Sequence, residues 1–240
     1  MSAREIVCKD RSDLARRLGE AIAELSHGEQ EPVTIALSGG STPKALYEKL
    51  GEAPLFERVA WHRLELFFSD ERAVPPDDAQ SNYGLAARTL LSKIPSPTHR
   101  MVAESGEAEA YEHLIRSHID KRRGDVPVFD LILLGLGDDG HTASLFPGTR
   151  ALEERERLVV MNEVPQQNTR RMTFTYPLIN AADRVWVLIS GSEKRDMVAR
   201  CRAARALGEH PYPILRVVPT DGELVWWLDQ AAAGTSPRGD

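Results

Sequence analysis

Short apolar runs rich in β-branched and aromatic residues alternate along this chain with segments of helical periodicity. The run FDLILL (129–134) is apolar on both faces, as expected of a strand that is covered by helices above and below. Similar runs are VTIAL (33–37), LELFF (64–68) and RVWVLIS (184–190). This alternation predicts an α/β fold with a mostly parallel sheet flanked by helices. Ligands of such sheets bind at the carboxyl ends of the strands, so the loops after these four runs are the candidate sites of chemistry.

The helices and the weaker strands follow from the same periodicity. The segment 13–28 spaces its apolar residues three and four apart, and Gly28 is typical of a helix C-terminus. Further helices are predicted from Pro43 and over 82–94, 107–123 and about 193–207. Further strands are predicted at 99–103, 157–161, 171–175 and 214–218.

Length, composition and charge limit the size and the partners of the protein. A chain of 240 residues with 42% hydrophobic content can bury one sizeable core, so we expect a single domain over 1–232 and a disordered tail over 233–240. The formal net charge of −6 argues against nucleic acid as a partner. Cys8 and Cys201 have no companion at C-x-x-C spacing and are expected to be free thiols. Neither a signal-peptide pattern nor a membrane-length apolar run is found, so we expect no membrane association and a cytoplasmic location.

The first loop follows VTIAL and consists of small and hydroxyl-bearing residues: Ser38, Gly39, Gly40, Ser41 and Thr42. Pro43 suits the first position of a helix, which makes Thr42 a candidate N-cap and directs free N–H groups at the loop. This arrangement suits a phosphate, although the G-x-x-x-x-G-K-[ST] pattern of a nucleotide P-loop is absent. An ordinary Gly-Ser turn that caps a helix is the alternative.

Three charged residues directly follow the second strand: Asp70, Glu71 and Arg72. Their side chains are expected to emerge together at the carboxyl edge of the sheet. Arg72 can hold an anion with its planar set of donors, and a carboxylate beside it stays ionised. A solvated charge cluster is the alternative.

The third loop, GLGDDGHTASLFPG (135–148), contains two motifs at once. Its glycines spell G-x-G-x-x-G after an apolar strand, which is the dinucleotide-binding fingerprint. However, Asp138 and Asp139 would place negative charge against a pyrophosphate. Pro147 also limits the helix predicted after Gly140 to about two turns, whereas a Rossmann crossover needs a longer one. We therefore expect no dinucleotide cofactor.

Acid–base chemistry is the better interpretation of this loop. His141 can be neutral near pH 7 and can take a proton from water, and Asp139 can orient the ring or tune its pKa. A structural histidine is the alternative. No second histidine or cysteine lies at metal-ligand spacing from His141, so no metal is expected there.

Two further segments add positive charge. GSEK, after the last of the four strands, places Lys194 in the first turn of a helix, where a cation opposes the helix dipole unless an anion is bound. Arg170 and Arg171 stand at the entry to the predicted strand 171–175. Chance surface placement of Lys194 is the alternative. Together the loops predict a phosphate clamp beside a general base.

The segments SGGSTP, SDERAVPPDDAQSNYG, GLGDDGHTASLFPG, RRMTFT and GSEK together resemble the ordered signatures of the 6-phosphogluconolactonases. The resemblance runs from about residue 33 to WWLD (226–229). It implies a Rossmann-like fold shared with sugar-phosphate isomerases and deaminases. It also implies hydrolysis of 6-phospho-D-glucono-1,5-lactone to 6-phospho-D-gluconate in the oxidative pentose phosphate pathway. A phosphorylated sugar lactone would then be the partner, with no metal or organic cofactor.

Position by position, the resemblance implies that His141 is the catalytic base. It also implies that the loop 39–42 lies near the phosphate and ring of the substrate, together with three cations: Arg72, Arg171 and Lys194. Asp70 matches a carboxylate that related deaminases use as a base, so both a catalytic and a structural role stay open for it.

The segment VPQQNTRR departs from the proline-rich run of the family, which leaves both Arg170 and Arg171 as candidate anion ligands; we favour Arg171. Two other functions fit the same scaffold. Related deaminases have a carboxylate five residues after the histidine, where this chain has Phe146, and DEY where it has DER. A non-catalytic sugar-phosphate sensor would not need the intact pair of Asp139 and His141.

Overall fold

The computed structural model describes residues 3–29 and 32–235. Its main sheet is built from β1 (Arg4–Cys8), β2 (Val33–Leu37), β3 (Leu64–Phe68), β7 (Leu131–Gly135), β10 (Arg184–Ile189) and β11 (Glu223–Asp229). The strand order is β1-β11-β10-β7-β2-β3, and every neighbouring pair is parallel. The predicted mostly parallel sheet is thereby confirmed. Strands β2, β3 and β7 are almost wholly buried, which explains their continuous apolar runs.

Helices cover the sheet: α1 (Arg11–Ser26), α2 (Ser41–Leu50), α3 (Leu55–Arg58), α4 (Asn82–Thr89), α5 (Ala108–His118), α6 (Tyr176–Ala181), α7 (Arg195–Ala206) and α8 (Gln230–Ala233). Helix α1 illustrates why these segments are helical. Asp10 accepts a hydrogen bond from the Asp13 N–H and caps its first turn, and the face that carries Leu14, Leu18 and Ile22 is buried.

Three of the remaining strands form a separate antiparallel sheet: β4 (Asp70–Arg72), β8 (Val159–Val164) and β9 (Thr169–Phe174). The shortest hairpin pairs β5 (Arg122–Arg123) with β6 (Val126–Pro127). The runs RLVVM and RMTFT therefore do lead into strands, but these strands stand beside the parallel sheet instead of extending it. In the small sheet Arg72 is directly opposite Arg171. This pairing brings two cations from distant parts of the chain side by side.

Two predicted strands are wrong. Residues 99–103 form a loop that ends in the 3₁₀ turn Ala103–Ser105, and pairing with β3 is limited to one isolated parallel bridge between Leu66 and Thr98. Residues 214–218 overlap the 3₁₀ turn Pro213–Arg216. Sequence periodicity also missed both strands at one side of the sheet, β1 and β11.

Two local expectations at the loops are also wrong. The helix expected directly after Gly140 is missing, since no helix begins within the described segment 141–148. Side chains take the place of helical hydrogen bonds there, since Thr173 Oγ1 accepts from Ser144 N at 3.1 Å and Asn162 Nδ2 donates to Ser144 O at 2.8 Å. Thr42 does not cap α2. The helix begins at Ser41 after Gly40, and the Thr42 hydroxyl lies 2.8 Å from that of Ser190.

The expected tail over 233–240 falls partly outside the described residues. Helix α8 ends at Ala233, so the expected boundary at 232 lies within its last turn, and residues 236–240 are among those not described. Over the described ranges, none of the helices has the length and apolar character needed to cross a bilayer.

Candidate functional site

The loops after β2, β3, β7 and β10 line one cavity of about 230 Å³ at the carboxyl edge of the parallel sheet. Ten of the predicted site residues line it: Ser38, Gly39, Gly40, Ser41, Thr42, Asp70, Arg72, His141, Arg171 and Lys194. Asp139 does not line the cavity and contacts His141 from behind. The expectation that these loops converge follows from parallel strand order, and the structure bears it out in space.

The SGGST loop is shaped by its glycines. Gly40 has φ of 105°, a left-handed value that favours glycine, and it precedes the first turn of α2. Gly39 packs so closely on Asn82 that an added Cβ would lie 1.8 Å from its Oδ1 atom. Tyr47 supports the loop from below, since its hydroxyl donates to Ser38 O at 2.6 Å. The N-terminus of α2 therefore opens into the cavity, as an anion-binding site requires.

The glycine-rich loop after β7 packs around the ring of His141. An added Cβ at Gly137 would lie 2.0 Å from His141 Nδ1, so this glycine provides the space that the ring occupies. Gly137 N also donates to His141 O at 2.9 Å, and Gly140 has φ of 81°. The first explanation of the motif, a pyrophosphate cradle, is unnecessary because the imidazole explains the glycine at 137, and the positive φ and the close contact with Tyr212 explain the glycine at 140.

Asp139 fixes the imidazole from one side. Its Oδ1 atom lies 2.5 Å from His141 Nδ1 and 3.0 Å from His141 N. Burial lowers the pKa of His141 below the usual 6.5, and the negative charge of Asp139 partly opposes this shift. The imidazole is therefore neutral at physiological pH and can accept a proton.

Phe146 fixes the imidazole from the other side. Its fully buried ring stacks on His141 with centroids 3.9 Å apart and planes at 22°. The guanidinium carbon of Arg171 lies 5.1 Å from the same ring. Sequence comparison marked Phe146 only as a difference from the deaminases, and its contact with both groups depends on tertiary structure.

Two guanidinium groups, those of Arg72 and Arg171, line the cavity. Arg171 is 9% exposed, and burial together with the nearby charge of Arg72 lowers its pKa below the usual range, although an arginine stays charged in proteins. Within the described residues, the buried Nε atoms of Arg72 and Arg171 have no hydrogen-bond partner. One terminal nitrogen of each arginine donates a hydrogen bond, that of Arg72 to Gln80 O and that of Arg171 to Gln167 Oε1. Unpaired buried donors on adjacent cations are the arrangement that an anion would satisfy.

Arg170 points elsewhere. Its Nε atom pairs with Glu163 at 2.8 Å on the surface, and Arg170 does not line the cavity. Of the two candidate anion ligands, the favoured Arg171 is the one that lies in the cavity wall.

Lys194 reaches the cavity from the turn that precedes α7. Its Nζ atom lies 2.5 Å from Asp138 Oδ1, and Asp138 is largely exposed. An ion pair of this kind at the cavity mouth can open to receive a substrate anion, because exposed pairs are weak.

Asp70 is buried and held by two donors. Ser144 Oγ donates to its Oδ2 atom at 2.7 Å, and Asn82 Nδ2 lies 3.3 Å from Oδ1. The negative charge of Asp70 also favours the protonated form of His141 and so raises its pKa against the larger effect of burial.

Glu71 does not share the cavity with Asp70 and Arg72. Its carboxylate turns to the start of α4, where each oxygen accepts two hydrogen bonds. The donors are Arg72 N, Asn82 N, Tyr83 N and Ser81 Oγ, at 2.8 to 3.0 Å. Glu71 is therefore a structural residue that ties the small sheet to the first turn of α4.

Replacing Glu71 with glutamine is expected to lower the free energy of unfolding by about 2–4 kcal/mol. The reason is that the glutamine NH₂ would replace a carboxylate oxygen and face two donors without an acceptor for them. Urea denaturation measures this change. The matched control is Glu48→Gln, which affects an exposed pair with Lys44 and should change stability by less than about 0.5 kcal/mol. Equal stabilities of the two variants would contradict the structural role of Glu71.

The fold and this edge of the sheet define a class: α/β proteins with a cation-lined cavity beside a carboxylate-oriented imidazole. Comparison with known proteins narrows the class. The family model for glucosamine-6-phosphate isomerases/6-phosphogluconolactonase matches residues 9–226. The chain belongs to this family.

Individual relatives within this family are named 6-phosphogluconolactonases. A 6-phosphogluconolactonase of Synechocystis sp. is 40% identical over 237 residues, covering 95% of this chain and 91% of that protein. One of Nostoc sp. is 38% identical over 228 residues, covering 91% and 92%. The crystal structure of 6-phosphogluconolactonase from Leishmania guyanensis, 28% identical, covers 99% of this chain and 100% of its own, with a TM-score of 0.84. These matches confirm the family resemblance of the five sequence segments.

Proposed function

We propose that this protein hydrolyses 6-phospho-D-glucono-1,5-lactone to 6-phospho-D-gluconate, in the cytoplasm, as a step of the oxidative pentose phosphate pathway. The observation that carries the proposal is that His141, paired with Asp139, faces the same cavity as the unpartnered donors of Arg72 and Arg171. A base and an anion clamp in one cavity suit a phosphorylated ester. The names of the relatives supply the particular substrate.

The geometry favours one tautomer of the base. A carboxylate oxygen 2.5 Å from His141 Nδ1 needs a proton between the two atoms, so in the neutral ring Nδ1 carries the hydrogen. The lone pair then lies on Nε2. We propose that Nε2 accepts the proton of the attacking water.

Hydrolysis then requires one C–O bond to form and another to break at the lactone carbonyl carbon. Water oxygen bonds to the carbonyl carbon while Nε2 of His141 takes one of its protons, and the carbonyl oxygen becomes an oxyanion. Nearby cations and amide hydrogens stabilise this charge. The ring C–O bond then breaks, and the leaving ring oxygen takes the proton back from the imidazolium. The product is one open-chain acid, and no covalent enzyme intermediate is required.

The phosphate positions the carbonyl from a distance. We propose that the loop 38–42, with Arg72, Arg171 and Lys194, binds the phosphate, since these residues supply positive charge and N–H donors to the cavity. Binding energy at the phosphate end then holds the far end of the substrate against His141.

The test couples oxidation of glucose 6-phosphate, which generates the lactone, to this protein and follows acid release above the spontaneous rate. Accelerated release supports the proposal. Hydrolysis at the background rate despite binding of 6-phosphogluconate would indicate a sensor, and ammonia released from glucosamine 6-phosphate would indicate a deaminase. Either result would overturn the proposed reaction.

Replacing Asp139 with asparagine tests the orientation of the base. The charge of Asp139 raises the pKa of His141 against the effect of burial, so its removal should lower that pKa further and make a weaker base. The expected result is a loss of about tenfold or more in turnover at neutral pH, with the acid limb of the pH profile shifted to lower pH.

The substrate phosphate titrates near pH 6 as well. The pKa of His141 is therefore best followed directly, by NMR titration of the imidazole in parent and variant. Asp139→Ala, which also removes the hydrogen-bond acceptor, should lose more turnover than Asp139→Asn. A His141 pKa that rises or stays constant in Asp139→Asn would contradict the assigned interaction.

A further inference from the structure

A second group of ionisable side chains lies away from the catalytic cavity. It consists of Glu65, His99 and His118, which we call the Glu65–His99–His118 cluster. Glu65 is near the amino end of β3, whereas the cavity is lined by residues that follow the carboxyl ends of the strands. None of the three residues lines that cavity.

The three ligand atoms are close together. Glu65 Oε1 lies 2.7 Å from His99 Nε2 and 2.7 Å from His118 Nδ1, and all three atoms lie within 4.8 Å of one another. Donors on one tetrahedral Zn²⁺, with bonds of about 2.0–2.1 Å, stand roughly 3.4 Å apart. An ion can therefore enter between these atoms if small side-chain rotations move each ligand atom by less than about 1 Å.

Two of the three ligands are already fixed. The backbone of His99 donates from N to Leu66 O at 2.8 Å and accepts at O from the Tyr111 hydroxyl at 3.0 Å. Its ring stacks on Phe67 with centroids 4.7 Å apart. Glu65 is buried within β3.

The third ligand provides access. His118 is the last residue of α5, and its side chain is 41% exposed. It can swing to admit an ion and a water molecule from solvent. The cluster thus joins an edge strand of the sheet, the loop after Pro97 and the end of a helix, which are separate elements that one ion would tie together.

We propose that the Glu65–His99–His118 cluster is a Zn²⁺ site with two imidazole ligands, one carboxylate ligand and water in the remaining position. Two imidazole ligands disfavour Ca²⁺ and Mg²⁺ at this site, because these cations prefer oxygen donors. The bound ion stabilises the fold by linking β3 to α5. The site is independent of the proposed hydrolysis, and either assignment can fail without the other.

The test uses the full chain stripped of metal and titrated with Zn²⁺ alone at neutral pH by isothermal calorimetry. The expected result is one ion per chain with a dissociation constant below about 100 µM. At a Zn²⁺ concentration well above that constant, the Tm should rise by about 5 °C. Bound Co²⁺ should show the visible absorption of a tetrahedral N/O site.

Matched variants locate the ion. His118→Ala should weaken binding at least about thirtyfold and abolish the rise in Tm. His113→Ala, which removes another exposed histidine of the same helix, should bind like the parent. Basal hydrolysis should be unchanged in both variants. No binding by the parent, or equal binding by the parent and His118→Ala, would overturn the proposal and leave the cluster as two histidines hydrogen-bonded to one carboxylate.

Discussion

Replacing His141 with asparagine is expected to lower turnover about 10²–10⁴-fold, because the variant has no group at this position that can accept a proton from water. The coupled lactone assay measures the loss after subtraction of the spontaneous rate. KM should change little, since the cations and the α2 N-terminus that we propose as the phosphate site remain in place.

The fold of the His141→Asn variant needs a control, since the imidazole stacks on Phe146. An unchanged circular dichroism spectrum and retained binding of 6-phosphogluconate would show that cavity and fold survive. Full turnover in such a folded variant would remove His141 from the mechanism.

The pH profile is a second measure of the same residue. Burial holds the pKa of His141 below 6.5, so the neutral base is present above that pKa and is lost as the pH falls through it. Activity should therefore persist somewhat below pH 6.5. For the same reason, charging this histidine on acidification costs stability, which decreases as the pH falls below 6.5.

Replacing Arg171 with alanine is expected to lower kcat/KM about 30- to 1000-fold, with the larger part of the effect in KM, because the proposed buried, charge-assisted contact to the phosphate would be lost. Steady-state kinetics on the phosphorylated lactone measure it. The adjacent variant Arg170→Ala is the control. Arg170 is paired with Glu163 on the surface, so this variant should retain nearly full activity.

A lactone without phosphate separates binding from folding in this experiment. If Arg171 contacts the phosphate, parent and Arg171→Ala should hydrolyse an unphosphorylated gluconolactone at similar rates. Comparable losses on both lactones would indicate that Arg171 acts on the carbonyl or on the Phe146 ring instead. Arg171→Lys keeps the charge without the planar set of donors and should be intermediate.

The fold was predictable where burial requires a continuous apolar sequence within one segment. FDLILL and VTIAL have the apolar character of buried parallel strands, and the ends of parallel strands meet at one edge, which brings Ser38 and His141 together. Such reasoning could not assign RLVVM and RMTFT to a separate sheet, because pairing partners depend on contacts between distant segments. It also could not distinguish Glu71 from Asp70, since adjacent strand residues point in opposite directions and the ladder was unknown.

The remaining gaps have the same origin. Phe146 packs against a ring five residues earlier and a guanidinium from another strand. Glu65, His99 and His118 are far apart along the chain, so no ligand spacing in the sequence brings them together. Both arrangements are products of packing.

The contact between Gly137 and the imidazole has a consequence for how this chain can change. Even a methyl group at residue 137 would collide with the ring, so a larger residue there can be accepted only after the histidine has been given up or displaced. The two positions are coupled, so a single substitution at residue 137 cannot change the substrate without also disturbing His141. Anyone redesigning this loop must begin at residue 141.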